Sequence, residues 1–155
     1  MKENKGVIFK VANGEYSIDV SYVISIEKEE HITPVPQLPS FVKGIRKVRD
    51  ELIPVIDLQM VLYNKKTEEN INNKLIVART ENISFAMIVS DAKEIIDVKE
   101  EVIKEVGISA YQKTEYITGV LNLENRLVFM LDPNILLETI DGVREIKDFM
   151  KNQPV

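Results

Sequence analysis

Phe41 to Leu62, FVKGIRKVRDELIPVIDLQMVL, reads against Tyr116 to Leu137, YITGVLNLENRLVFMLDPNILL, without a gap at an offset of about 75 residues. Gly44 falls on Gly119, Leu52 on Leu127, Asp57 on Asp132 and Leu62 on Leu137. Apolar meets apolar at Phe41/Tyr116, Ile45/Val120, Ile53/Val128 and Ile56/Leu131. Upstream, Val7 to Ile26 follows Ile76 to Ile95 at an offset of about 69. There Asn13 meets Asn82, Tyr16 meets Phe85, Ile18 meets Met87 and Val20 meets Val89. Hairpin, gap, hairpin and short helix thus occur twice in the same order. A duplicated unit of about 70 residues implies two similar small bodies packed on each other, and a groove between them is the expected binding site.

The strands of each unit follow from local chemistry. Val7–Ala12 and Glu15–Val20 flank Asn13-Gly14, a dipeptide suited to a tight hairpin because both turn positions need positive φ. Tyr16, Ile18 and Val20 alternate with Ser17 and Asp19, so this strand has one wet face. Val23 to Glu27 is a further short strand. Three prolines in Thr33-Pro34-Val35-Pro36-Gln37-Leu38-Pro39 remove donors and fix φ, so this stretch is an extended connector. Phe41–Val48 and Leu52–Ile56 form a second hairpin across Arg49-Asp50-Glu51. The unbroken apolar run Leu52–Ile56 is expected of a strand covered on both faces, and Pro54 implies that one of its edges is not fully laddered. Asp57 caps a short helix over Leu58–Tyr63.

The second unit repeats the plan. Leu75–Arg79 and Ser84–Ser90 make a hairpin, Glu94–Val98 a third strand, and Tyr116–Leu123 with Arg126–Leu131 the last hairpin. Lys99–Glu115 is a charged connector. Asp132-Pro133 starts a helix, a cap followed by proline at the first helical position. Gly142 interrupts that helix, and Val143, Ile146, Phe149 and Met150 continue an amphipathic segment.

Five strands per unit suffice to close a small barrel and remove exposed edges. The expected fold is therefore mainly β: two side-by-side five-stranded SH3-like β-barrels from an internal duplication, with a short C-terminal helix. The expected boundaries are a first barrel over 5–63, a polar, structureless linker over 64–73, a second barrel over 74–131 and a helix over 133–150, all within one domain.

Composition narrows the function. A net charge of −5 with pI near 5.1 argues against nucleic-acid binding, which shows a basic footprint. There is no cysteine, hence no disulfide and no thiolate metal site. The first residues lack the apolar stretch of a secretory signal, and no apolar run approaches the roughly 18 residues that span a bilayer. The expectation is a cytoplasmic protein without direct membrane insertion. One histidine, His31, no G-x-S-x-G serine and no phosphate-binding glycine loop leave no recognisable catalytic constellation. Metal ligands at known spacing are also missing, so neither enzyme activity nor a cofactor is expected. Asp57 and Asp132 are repeat-equivalent, and helix caps account for both. What remains is apolar surface at Val23, Ile24 and Ile26, and a hairpin tip carrying Arg49, whose repeat-equivalent Glu124-Asn125-Arg126 has the opposite charge order.

Gly44-Ile45-Arg46-Lys47-Val48-Arg49-Asp50-Glu51-Leu52-Ile53-Pro54-Val55-Ile56-Asp57-Leu58 resembles the signature hairpin of the CheW family, G-V-x-N-L-R-G-x-V-I-P-V-I-D-L. Phe9–Val20, Val23–Ile26, the proline-rich connector, Tyr116–Val120 and Leu131-Asp132 match further family features, so the resemblance covers about residues 5 to 140. The resemblance implies two barrels around a shared core. It also implies a non-enzymatic adaptor joining the cytoplasmic tip of chemoreceptors to the regulatory domain of the CheA-type histidine kinase. By it, the receptor's helical hairpin lies between the barrels, against Val23 and Ile26, with Gly44 at the groove and Arg49 as the family arginine. Kinase contacts use barrel ends and are not placed on residues, and recruitment to membrane-associated receptor arrays follows from the same resemblance. The chain departs from the pattern at Lys47 (Asn in the family), Asp50 (Gly), Ser25 (Glu), Ser90 (Asp) and Ala86 (Gly). An adaptor that binds receptors without recruiting the kinase is the alternative. An unrelated double-barrel enzyme is a third reading, disfavoured by the missing catalytic groups.

Overall fold

The computed structural model describes residues 4–81, 83–99, 103–104, 115–140 and 142–151. Its strands are β1 (Asn4–Val11), β2 (Gly14–Asp19), β3 (Val23–Lys28), β4 (Val42–Val48), β5 (Glu51–Asp57), β6 (Lys74–Arg79), β7 (Ser84–Val89), β8 (Asp91–Val98), β9 (Ile103–Lys104), β10 (Ile117–Leu123) and β11 (Arg126–Leu131). Three short α-helices accompany them: α1 (Leu58–Tyr63), α2 (Pro133–Thr139) and α3 (Val143–Lys151). A single 3-10 turn, Val20–Tyr22, joins β2 to β3.

The strands form two sheets, one of six strands in the order β8-β1-β2-β11-β10-β9 and one of five in the order β3-β6-β7-β5-β4. Every strand of the five-stranded sheet is the repeat-equivalent of a strand in the same place of the other, with β9 added at the edge. The molecule therefore has a pseudo-two-fold relation between its sheets.

Neither sheet is built from one half of the chain. The boundaries expected at 5–63 and 74–131 assign each barrel to a continuous segment, whereas both sheets draw on both segments. The reason lies in two parallel pairings, β11 with β2 and β5 with β7. Hairpins supply only antiparallel neighbours, so each N-terminal hairpin finds its parallel neighbour in the C-terminal hairpin of the other repeat. Pro54 fits this plan, because the ladder from β5 to β7 begins one residue later, at Val55.

Period-two alternation places three cores. Val7, Phe9 and Val11 of β1, Ile76 and Ala78 of β6, and Phe85, Met87 and Val89 of β7 meet between the sheets, joined by Leu58 of α1 and by Leu136 and Leu137 of α2. The intervening residues face the other way. Val55, Leu75, Val77, Ala86 and Ile88 form an inner cluster of the five-stranded sheet, and Ile8, Leu121 and Val128 one of the six-stranded sheet. The five-stranded sheet curls until its edges meet: Arg46 on β4 donates to the carbonyl of Lys28 at the end of β3 (2.7 Å) and pairs with Glu27.

The caps follow the sequence. Asp57 accepts from the Met60 amide at the start of α1, and Asp132 accepts from the amides of Asn134 and Ile135 at the start of α2. The C-terminal helical stretch expected over 133–150, with its interruption at Gly142, is two helices, α2 and α3. Gly142, at φ 95°, breaks it, and a Cβ there would stand 2.6 Å from Pro39 Cγ of the connector. The 64–73 linker has no regular structure over most of its length, yet it is fastened. Asp57 also accepts from the Thr67 amide and hydroxyl, Gln59 donates to the carbonyls of Lys65 and Lys66, and buried Asn73 donates to the carbonyl of Glu68. Most of the 99–115 connector lies outside the described residues.

Candidate functional site

β3 and β8 are repeat-equivalent strands, and each flanks the seam between the sheets. Ile26 lies opposite Ile76 and Ile95 opposite Val7. Directly paired residues of antiparallel strands share a face, and Ile76 and Val7 are both core residues. Ile26 and Ile95 therefore point to the core-facing side from outer strands, where they stay 40% and 61% exposed. Val20, just before β3, is also exposed. Val23 is half-buried and packs against the shared core, as does its equivalent Ala92. Of the residues singled out from sequence, Val23 and Ile26 thus share one strand beside the seam. Ile95 was missed, although the 69-residue offset carries Ile26 onto it.

Arg49 sits at the tip between β4 and β5. Val48 pairs with Glu51, so the turn has two residues rather than three, Arg49 and Asp50, with φ of 50° and 67°. Two successive positive φ values are what a two-residue hairpin turn with right-handed strand twist requires. Asp tolerates this geometry better than most residues, which is how the turn survives without glycine. Lys47 stands 3.9 Å from Asp50, and Arg79 3.9 Å from Glu51. Among the described residues Arg49 has no carboxylate partner, and it is exposed. It lies at the same end of the sheet as Val23, because Val23 pairs with Ala78 next to Arg79.

Gly44 is buried on β4 beneath the connector. Thr33 and Ile45 exchange two backbone hydrogen bonds (2.8 and 2.9 Å), and a Cβ on Gly44 would lie 2.2 Å from the Thr33 carbonyl oxygen. Only a glycine permits that approach, so Gly44 shapes the surface from below. Ser25, on the inner face of β3, has a buried hydroxyl with no hydrogen-bond partner.

The equivalent tip, Glu124–Asn125 between β10 and β11, is chemically different. Arg126 beside it is held by two carboxylates, Glu15 on β2 (2.7 Å) and Glu94 on β8 (3.1 Å). The guanidinium hydrogen bond holds the Glu15 carboxyl below its ordinary value of 4.5, and the two carboxylates raise the Arg126 pKa further. Among the described residues no group of three or more His, Cys, Asp or Glu is arranged to hold a metal ion.

An apolar seam between two pseudo-symmetric sheets, with one unpaired arginine at a tight tip, suits protein recognition. The CheW-like domain family matches residues 5–141. The chain belongs to the CheW family. It is 31% identical over 145 residues to the chemotaxis protein CheW of Bacillus subtilis (strain 168), covering 93% of each chain. It is 26% identical over 141 residues to the chemotaxis protein CheW of Thermotoga maritima, covering 90% of this chain and 91% of that one. Its fold is similar to that of the scaffolding protein TtCheW from Thermoanaerobacter tengcongensis, with a TM-score of 0.79, 24% identity and 92% of each chain covered.

Proposed function

We propose that this CheW-family protein is a non-enzymatic adaptor of bacterial chemotaxis, coupling methyl-accepting chemoreceptors to a CheA-type histidine kinase. The observation that carries the reading is the unpaired, exposed Arg49 on a tight turn at the Val23 end of the seam. The receptor's helical tip lies against Val23 and Ile26, an amphipathic helix in an apolar groove being an established recognition mode. Arg49 supplies a planar, forked donor to carboxylate or carbonyl groups at the rim. Gly44 contributes by letting the connector lie flat on β4. The kinase's regulatory domain is the second partner. Family membership supports the reading, and relatives in Bacillus subtilis and Klebsiella aerogenes are chemotaxis proteins by name. The protein is cytoplasmic and reaches membrane-associated arrays through its receptor; among the described residues no helix is long and apolar enough to cross a membrane.

Calorimetric titration tests both arms, with the kinase's regulatory domain and with a soluble receptor tip fragment from the same organism. Binding of both at micromolar affinity or tighter is expected. Binding of the receptor alone selects the adaptor that does not recruit the kinase. Arg49→Glu should weaken receptor binding tenfold or more, about 1.4 kcal/mol, and leave kinase binding as it was. Val23 packs against the core, so Ile26→Asp is the cleaner groove variant. Unchanged receptor affinity in both variants removes this surface from the site.

A further inference from the structure

The two outer strands that flank the seam run in opposite directions, and this gives the seam two distinct ends. The β6–β7 turn reaches the start of α2, where the Glu81 amide donates to Asn134 Oδ1 (3.0 Å). In the other sheet, the β1–β2 turn reaches α1, where the Tyr16 and Tyr63 hydroxyls hydrogen-bond to each other. The first contact sets the beginning of β3 beside the end of β11, and the end of β11 is level with the end of β8. β3 and β8 are therefore antiparallel across the seam, as a two-fold axis through it requires. The Arg49 tip stands at one end, and the Glu124 tip at the other.

The apolar lining obeys this symmetry: Ile26 matches Ile95, and Val23 matches Ala92. The rims do not. Around the first tip stand Lys47, Arg49, Asp50, Glu51 and Arg79, with Asp50 and Glu51 each near a cation and Arg49 left without a carboxylate partner; Glu81 stands at the same end, on the β6–β7 turn. Around the second stand Glu15, Glu94, Glu124 and Arg126, three carboxylates against one guanidinium, which Glu15 and Glu94 already occupy. Lys10 and Asp91 nearby offset one another. Glu124, the positional counterpart of Arg49, is exposed.

We infer that the seam is an electrically polar groove, in which Arg49 at one end and Glu124 at the other fix the direction of a bound receptor helical hairpin. This rests on the reading of the seam as the receptor site. A symmetric apolar groove by itself accepts an antiparallel helical pair in either direction with the same contacts. Opposite charges at the ends remove that degeneracy, because the wrong direction sets like charges against each other at both rims. The occupant so selected carries carboxylates on the part that meets Arg49 and Lys or Arg on the part that meets Glu124. Glu124 is thus a positioning residue for the partner, and Ile95 is the second apolar wall.

Charge reversal on the full chain separates polarity from mere attraction. The probe is a soluble receptor tip fragment carrying one photo-crosslinker at one end of its hairpin. In the wild type it should crosslink near one tip only. Arg49→Glu should lower affinity tenfold or more, and Glu124→Arg should lower it severalfold and yield crosslinks near both tips. The double variant Arg49→Glu/Glu124→Arg should regain at least tenfold over Arg49→Glu alone, with the crosslink moved to the opposite tip. Both residues are exposed turn residues, and circular dichroism with thermal melting confirms that each variant is folded. If Glu124→Arg binds with wild-type affinity and direction, or the double variant is no better than Arg49→Glu alone, the polar groove is wrong although the receptor site stands. If the folded wild type does not bind the fragment, the receptor site itself is wrong and the polarity falls with it.

Discussion

Gly44→Ala should destabilise the protein through the backbone alone. The added methyl carbon would stand 2.2 Å from the Thr33 carbonyl oxygen, 2.7 Å from its carbon and 3.0 Å from Ile32 Cγ2. No rotamer relieves a clash with backbone, so the connector must lift off β4 by about 1 Å, given ordinary van der Waals spacing. Lifting it breaks the two hydrogen bonds between Thr33 and Ile45, at about 1 kcal/mol each. It also draws Ile32 away from the inner cluster of the five-stranded sheet, at about 1 kcal/mol if a third of a side chain is re-exposed. Gly44 also has φ 158°, a conformation that side chains rarely adopt, so no entropic return on replacing the glycine offsets these losses. The net loss is about 3 kcal/mol, or about 6–12 °C in Tm for a domain of this size. Gly6→Ala is the control, another buried strand glycine, whose added carbon would have its nearest neighbour at 3.3 Å, the side-chain atom Val98 Cγ2. It should stay within about 0.5 kcal/mol of wild type. Thermal and urea melts read both. If Gly44→Ala is as stable as Gly6→Ala, the close approach does not explain the glycine, and a direct contact with a partner becomes the better account.

The Glu15–Arg126–Glu94 cluster should show in pH and salt. Arg126→Ala should cost about 1 kcal/mol at neutral pH and low salt, the upper range for part-exposed pairs; because the Glu15 carboxyl is held below 4.5 in the folded state, that difference is fully present above 4.5, disappears as pH falls through the lowered value, and shrinks in 1 M salt. Tyr63→Phe should destabilise more than Tyr16→Phe does, by about 1 kcal/mol, because the first strands the buried Tyr16 hydroxyl while the second leaves Tyr63 facing water; equal losses in denaturant melts would contradict this. Burial and the Tyr63 hydroxyl together push the Tyr16 pKa above its ordinary 10, so stability should decline as pH rises past 10, where the unfolded chain ionises and the folded one does not. A single engineered protease cut between Glu69 and Asn70 should leave one native-sized species on gel filtration, since β1–β8, β2–β11, β3–β6 and β5–β7 all join the two halves; halves that separate in native buffer would refute that account of the assembly.

The duplication was legible because packing repeats leave an apolar imprint, and every strand and cap it suggested has its counterpart in the fold. The first turn does not fall on Asn13-Gly14: Val11 pairs with Gly14, so the turn is Ala12–Asn13, and the positive φ (53°) is at Ala12. Which strand sits beside which was not legible, because a run such as Leu52–Ile56 reads the same whichever parallel neighbour covers it. Asp57 shows a related limit. Its place before an apolar helical run gave the cap, while its bonds to Thr67, which turn a polar linker into a fastened loop, depend on a chain reversal that composition does not encode. At the seam, Arg49 stood out by charge at a turn, and the repeat already set the Glu124 tip against it with the opposite charge order, whereas Ile95 did not stand out, being an ordinary strand residue in its own sequence neighbourhood. The fold adds the relation in space: the axis that relates the sheets sets Ile95 opposite Ile26 and Glu124 opposite Arg49. A duplicated chain conserves shape between its halves while its surface is free to diverge. Function in such a molecule is therefore best sought where equivalent positions keep their apolar character but exchange the sign of their charge.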